Sequence, residues 1–258
     1  MIFSDFNANG IVIIGIMIFL FGIVIGSFLN VCIYRIPKSE SLVVNRSHCM
    51  SCSGQLRWYE LIPLFSWIAI RGKCLRCKAP ISKQYPIIEA LNGLFYILIF
   101  WICGISIESA LYCLLFSALL VLSVIDFRTF EIPVGINIFI LTLGLVRLAL
   151  DYSHWGDYVI GLLSVSTFLA ILYYASKGRA MGGGDVKLMG AAGLLLGWQL
   201  IILAFFLGCI LGSIIHVARM KITKADHVLA MGPYLSLGIF ISALWGNQLI
   251  DWYLYSRL

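Results

Sequence analysis

Two aspartates stand where a charge is costly to place. Asp126 ends one long apolar segment, and Asp185 closes the run Gly182-Gly183-Gly184-Asp185 beside another. Ionisable groups at membrane depth are expensive, usually paired and usually functional. Two apolar stretches lie between the pair, and two crossings return a chain to the membrane face it left. Both carboxylates can therefore meet at one face, the arrangement that acid/base work by an aspartate pair requires. The alternative is that each is an interfacial charge flanking a helix.

A second constellation is Cys49-Met50-Ser51-Cys52 and Cys74-Leu75-Arg76-Cys77, two Cys-x-x-Cys pairs with 21 residues between them. This is close to four-cysteine zinc spacing, slightly long in the middle. Four protein ligands leave no open position for water, so the expected zinc is structural. A pair of disulfides is the competing reading, but the loop is predicted cytoplasmic, where thiols stay reduced. About fifty residues cannot build a large core, and a metal is a common substitute. His48 reads as a solvated loop residue. Cys32, Cys103, Cys113 and Cys209 lack partner spacing and read as buried, inert thiols.

The elements that must position these groups follow from composition. The 258 residues are 61% hydrophobic and 12% charged, against about 25% charged in soluble domains. A helical crossing needs about 20 apolar residues. Such stretches fall at roughly 10–33, 86–105, 108–125, 133–150, 156–175, 184–198, 199–218 and 229–250. The sixth is short and Gly-rich, so seven or eight crossings are expected. The first is expected to be retained: no Lys or Arg precedes it, its apolar stretch is long, and no small-residue cleavage site follows.

With the amino terminus outside, 16 of the 18 Lys and Arg fall in inner loops, Lys224 among them; only Arg147 and Arg257 do not. The positive-inside rule makes that bias a topology signal. The net charge of +6 is thus no nucleic-acid footprint. Asp126, Asp185 and the cysteine loop come out cytoplasmic, and an eight-crossing count sends both termini outside. The expected architecture is an all-α polytopic membrane protein of about eight transmembrane helices with a small cytoplasmic zinc loop. Its parts are a first helix (1–33), the four-cysteine loop (34–85) and a membrane core (86–258).

The remaining features are local. Arg128-Thr129-Phe130-Glu131-Ile132-Pro133 turns the chain, with Pro133 suited to the first turn of the next helix. Glycines 182–184 precede a possible helix start; they allow close backbone approach and angles closed to other residues. Gly232-Pro233-Tyr234 reads as a kink near the last crossing. Glu60 and Glu89 read as capping or positioning acids. His-Glu-x-x-His, Gly-x-Ser-x-Gly and a Walker pair are absent, and no internal repeat is visible.

Taken in order, these residues resemble the bacterial type IV prepilin peptidases, leader peptidases of the Gly-x-Gly-Asp membrane aspartyl protease group. Gly26-Ser27-Phe28-Leu29-Asn30-Val31 with Arg35-Ile36-Pro37 resembles the first-helix signature, and the four cysteines match the zinc loop of many members. Tyr85-Pro86-Ile87-Ile88-Glu89 with Gly93 resembles the entry to the second crossing. Asp126 with Ile132-Pro133, and Gly182-Gly183-Gly184-Asp185-Val186-Lys187, resemble the two catalytic motifs. Gly232-Pro233-Tyr234-Leu235 resembles a late Gly-Pro-Phe-like signature. Where members commonly carry an acid after Ile-Pro, this chain has Val134.

The resemblance implies a multi-pass enzyme of the bacterial inner membrane. It would cut the leader of type IV prepilins or type II secretion pseudopilins after a glycine, on the cytoplasmic side. Asp126 and Asp185 would be the catalytic pair, with Gly182, Gly183 and Gly184 the loop along which substrate lies extended. Many members then methylate the new amino terminus with S-adenosylmethionine, by analogy alone here. The expected partners are prepilins or pseudopilins and membrane lipid, not nucleic acid. Two other classes compete: an ion-coupled transporter using the paired aspartates, which leaves the cysteine loop unexplained, and a membrane-anchored zinc module that only binds a partner.

Overall fold

The computed structural model describes residues 8–44, 46–179, 181–223 and 229–255. The chain's first seven residues, Lys224 and Arg257 lie outside the described residues. Among the described residues all regular structure is helical, apart from two isolated bridges in the cysteine loop. In chain order the α-helices are α1 (Ala8–Arg35), α2 (Phe65–Ala69), α3 (Gln84–Cys103), α4 (Ile107–Thr129), α5 (Val134–Leu150), α6 (Trp155–Ala175), α7 (Gly183–Leu196), α8 (Trp198–Thr223) and α9 (Gly232–Tyr255). All but the short α2 fall on the eight apolar segments. Five of them, α1, α3, α4, α6 and α8, are long and apolar enough to cross a membrane.

The chain divides into two compact units after Cys113. In the first, α1 packs along α3. A Cβ on Gly22 would lie 2.7 Å from Gly93 Cα, and one on Gly26 would lie 2.7 Å from Glu89 Cα. Small residues four apart let helix backbones approach where no hydrophobic effect drives them together. The seam is tied by Asn92, whose Nδ2 donates to Gly22 O at 2.8 Å. Asn30, also buried, donates to Tyr85 O at 3.2 Å.

The loop between α1 and α3 builds one backbone knuckle twice. Cys49 N–H donates to Gly54 O, and Ser53 N–H to Cys49 O; Cys74 N–H donates to Ala79 O, and Lys78 N–H to Cys74 O. The bridges His48–Gln55 and Lys73–Pro80 close each knuckle at the same offset. Ser53 and Lys78 both take positive φ, 54° and 59°. The repeat lies in the backbone and not in residue identities, since Ser-Gly follows one pair and Lys-Ala the other. Arg76 of the second knuckle clamps the first by donating to Gln55 O at 2.7 Å.

In the second unit α7 is the core. It packs against α5, α6, α8 and α9, and Asp185 with Leu188–Leu196 is buried throughout. Its 14 residues span about 21 Å, short of a bilayer's roughly 30 Å of hydrocarbon. Protein rather than lipid therefore surrounds it, which accounts for its weak apolar signal. Gly161 of α6 and Gly193 of α7 set the crossing, for a Cβ on either would collide with the other's carbonyl oxygen.

Candidate active site and metal centre

Both aspartates are buried, Asp126 at 5% and Asp185 at 7% exposure. Asp126 lies in the last turn of α4. Asp185 is the third residue of α7, and its backbone N–H donates to the carbonyl of Gly182, the N-cap residue, at 3.2 Å. The two carboxylates are close enough to interact electrostatically.

Two helix starts face this pair. Asp126 Oδ2 accepts the Gly232 backbone N–H at 2.8 Å, and Gly232 is the first residue of α9. Gly232-Pro233-Tyr234 is therefore a helix opening, not a kink. Asp185 sits in the opening turn of α7. First-turn N–H groups lack intrahelical acceptors and carry partial positive charge. Asp126 thereby satisfies a donor that burial would otherwise strand.

The glycine run serves close approach. Gly182 is extended (φ −77°, ψ 141°), and none of the three glycines takes positive φ. The expected freedom of backbone angle is thus unused. A Cβ on Gly184 would lie 2.8 Å from Ile132 Cβ, and one on Gly182 3.3 Å from Asp185 Oδ2. Ile132 packs the turn after α4 onto the start of α7, and Pro133 occupies the N-cap of α5, one residue before its first turn.

Asn137 is a residue that motif reading misses. It is buried in α5, and its Nδ2 donates to Gly184 O at 3.4 Å. Its Oδ1 has no partner among the described residues. The available signal is an amide inside a 17-residue apolar helix, where polar side chains are costly.

In the first unit the four sulfurs of Cys49, Cys52, Cys74 and Cys77 lie within 4.8 Å of one another. Cys49 and Cys77 are 3.8 Å apart. A tetrahedron of sulfurs about 2.3 Å from a zinc ion has edges of about 3.8 Å, so this cluster can hold a metal ion. All eight cysteines are free. The Cys52 backbone N–H, with help from Ser51, lowers the Cys49 thiol to about 6. Cys77 is lowered by the Ala79 backbone, but desolvation and the three neighbouring thiols outweigh this and push it up to about 11.

The remaining acids, His48 and the unpaired cysteines have local settings. Glu60 caps the turn Trp58–Leu61 by accepting Arg57 N–H at 2.8 Å, and Glu89 accepts Leu64 N–H at 2.7 Å. His48 is exposed. Cys32 and Cys113 are buried; Cys103 and Cys209 are half-buried.

Comparison with known proteins gives the same division. Residues 20–103 match the bacterial peptidase A24 N-terminal domain, and residues 113–217 match the type IV leader peptidase family. A protein of Stutzerimonas stutzeri named prepilin leader peptidase/N-methyltransferase is 32% identical, the match covering 92% of this chain and 93% of the relative. Proteins of that name from Aeromonas hydrophila (32%, covering 94% of each) and Legionella pneumophila (29%, covering 91% of this chain and 92% of the relative) are similar along their whole length. No solved structure matches. With a buried carboxylate pair in one unit, a thiol cluster in the other and relatives alike over nearly their full length, this chain belongs to the type IV leader peptidase family.

Proposed function

We propose that the protein is an aspartyl endopeptidase of the bacterial inner membrane. It cuts the leader of type IV prepilins or type II secretion pseudopilins after a glycine, at the cytoplasmic face. The carrying observation is that Asp126 and Asp185, far apart in sequence, are both buried and interact in one unit. The positive-inside bias of the basic residues supports a cytoplasmic position for that face and for the cysteine loop.

Two neighbouring carboxylates share a proton rather than both ionising. The ionised member takes a proton from water as that water attacks the scissile carbonyl. The protonated member polarises the carbonyl oxygen and later protonates the leaving amine. The pair titrates as a unit, so the roles belong to the dyad. The Gly232 N–H holds Asp126 in place. Gly182, Gly183 and Gly184 present little side chain, which suits an extended substrate backbone lying beside Asp185.

Cys49, Cys52, Cys74 and Cys77 would hold a structural zinc that fixes the two knuckles. A second activity, methylation of the new amino terminus, follows from the relatives' shared name; S-adenosylmethionine would supply its methyl group from a sulfonium centre. On this reading residues 1–33, 34–85 and 86–258 are the anchor helix, zinc loop and peptidase core. The test is to incubate detergent-solubilised protein with candidate prepilins and read the new amino termini by mass spectrometry. Intact leaders with every candidate would count against the proposal.

A further inference from the structure

The loop between α1 and α3 does not stand clear of the helices it joins. The carboxylate of Glu89, buried in the second turn of α3, accepts the Leu64 backbone N–H at 2.7 Å. Glu89 packs against Gly26 of α1, and α1 runs on from there to Arg35, about 13 Å at 1.5 Å per residue. Gly26 and Glu89 both lie inside the apolar stretches read as crossings. Leu64 is therefore folded back beside the membrane-spanning part of these helices.

A strained bend makes this fold-back. Leu64 takes φ 60° and ψ −56°, and Phe65 N–H donates to Pro63 O at 2.6 Å. These are the angles of the γ-turn with positive φ, which is rare and costly and persists only where its surroundings hold it. The bend joins the turn Trp58–Leu61 to α2 and leaves α2 with two faces. Ser66, Trp67 and, at its C-cap, Ile70 line a cavity inside the unit. Phe65 and Ile68, three residues apart and so on one side, are 57% and 65% exposed. Trp58 is 78% exposed, and Leu61 and Ile62 are also bare.

An exposed apolar patch with a charged rim marks an interaction surface. Here the rim is basic: Arg57 precedes the segment and Arg71 and Lys73 follow it, all exposed. The one acid between them, Glu60, already accepts the Arg57 N–H. Phe28 of α1 and Ile87 of α3, each two residues from the Gly26–Glu89 contact, are exposed as well. The patch thus continues the apolar outer surface of two helices long enough to cross a membrane. Depth, aromatic residues and a basic rim together fit the interface of a bilayer that carries anionic lipid.

We infer that residues 58–69 are seated in the bilayer interface, with Trp58, Phe65 and Ile68 against acyl chains and Arg57, Arg71 and Lys73 on anionic headgroups. One side of the four-cysteine loop is then lipid-bound, and the Glu89 contact sets its depth. The inference uses nothing of the aspartate chemistry.

The experiment reconstitutes full-length, metal-loaded protein into vesicles of phosphatidylethanolamine and phosphatidylglycerol. A trace of the phosphatidylglycerol carries a diazirine on its acyl chain. After irradiation of the wild type, the tryptic peptide 58–71 should carry several times more label than peptide 47–57, which holds the first knuckle. Mass spectrometry should place that label on Trp58, Phe65 or Ile68. Equal labelling of the two peptides overturns the inference, as does label on Ser66, Trp67 and Ile70 instead, which would mean that lipid enters the cavity. Label that falls as protein density in the vesicle rises would give this face to a second copy and overturns it too. Moving the diazirine to phosphatidylcholine should lower the yield about three-fold or more. Arg71→Gln/Lys73→Gln protein should lose most of that preference while keeping the label. No preference in the wild type, or an undiminished one in this variant, overturns the headgroup contact. Asp126→Asn protein should label as wild type does, so this reading and the peptidase reading fail separately.

Discussion

The backbone N–H of Gly232 donates to Asp126 Oδ2 at 2.8 Å across 106 residues of chain. An ideal Cβ at Gly232 would lie 2.7 Å from that same oxygen and 3.0 Å from Leu122 Cδ2. Gly232→Ala must therefore shift the carboxylate or the start of α9. A displacement of about 1 Å can cost roughly 100-fold in rate, and that loss is expected in leader cleavage. Gly135→Ala is the control, since a Cβ there meets nothing within 4 Å. Equal rates for Gly232→Ala and Gly135→Ala would refute a positioning role for Gly232.

Asp126→Asn and Asp185→Asn should each lower cleavage by about 100- to 10,000-fold. The double variant should fall little further, because groups acting as a unit give non-additive losses. The amide keeps nearly the carboxylate's shape, so folding should survive. Glu131 is exposed on the turn after α4, and Glu131→Gln should cleave normally. Cleavage kinetics on a purified prepilin decide the matter: near-normal turnover by either aspartate variant would sink the dyad, and a Glu131→Gln loss of the same size would point to the wrong partner acid.

Protein purified without added zinc should carry about one metal ion per chain, as elemental analysis would read. Serine at Cys49, Cys52, Cys74 and Cys77 together should remove it and loosen the loop, seen as faster proteolysis between residues 46 and 83. Ligation needs thiolates, so metal should leave as pH falls and protons compete for the sulfurs. A four-serine variant that keeps its metal contradicts the assignment.

Arg179 is exposed beyond the end of α6, on the side the basic residues assign to the cytoplasm. Arg179→Cys should resist a membrane-impermeant thiol reagent in intact cells and react once the membrane is permeabilised, against the parent protein as baseline. Labelling in intact cells would reverse the orientation and remove the aspartates from the cytoplasmic face.

How much was legible in the chain itself depends on the range of each interaction. The helices follow from apolar run length, because a bilayer imposes one length scale on every crossing. The aspartate pair and the cysteine cluster are also readable: crossing number carries the first and short-range spacing the second. What escapes is what depends on contact between distant segments. Gly232 reads as a kink until α4 and α9 bring its N–H to Asp126. Asn137 is one amide in an apolar helix until α5 meets the start of α7. The glycines of the 182–184 run promise unusual backbone angles, yet their use is space: Ile132 occupies the place a Cβ on Gly184 would need. Likewise α7 is weak as a membrane segment because it is wrapped in protein, which no local hydrophobic pattern reports. Composition and spacing determine which groups reach the membrane face; only helix packing decides which backbone donors hold them there.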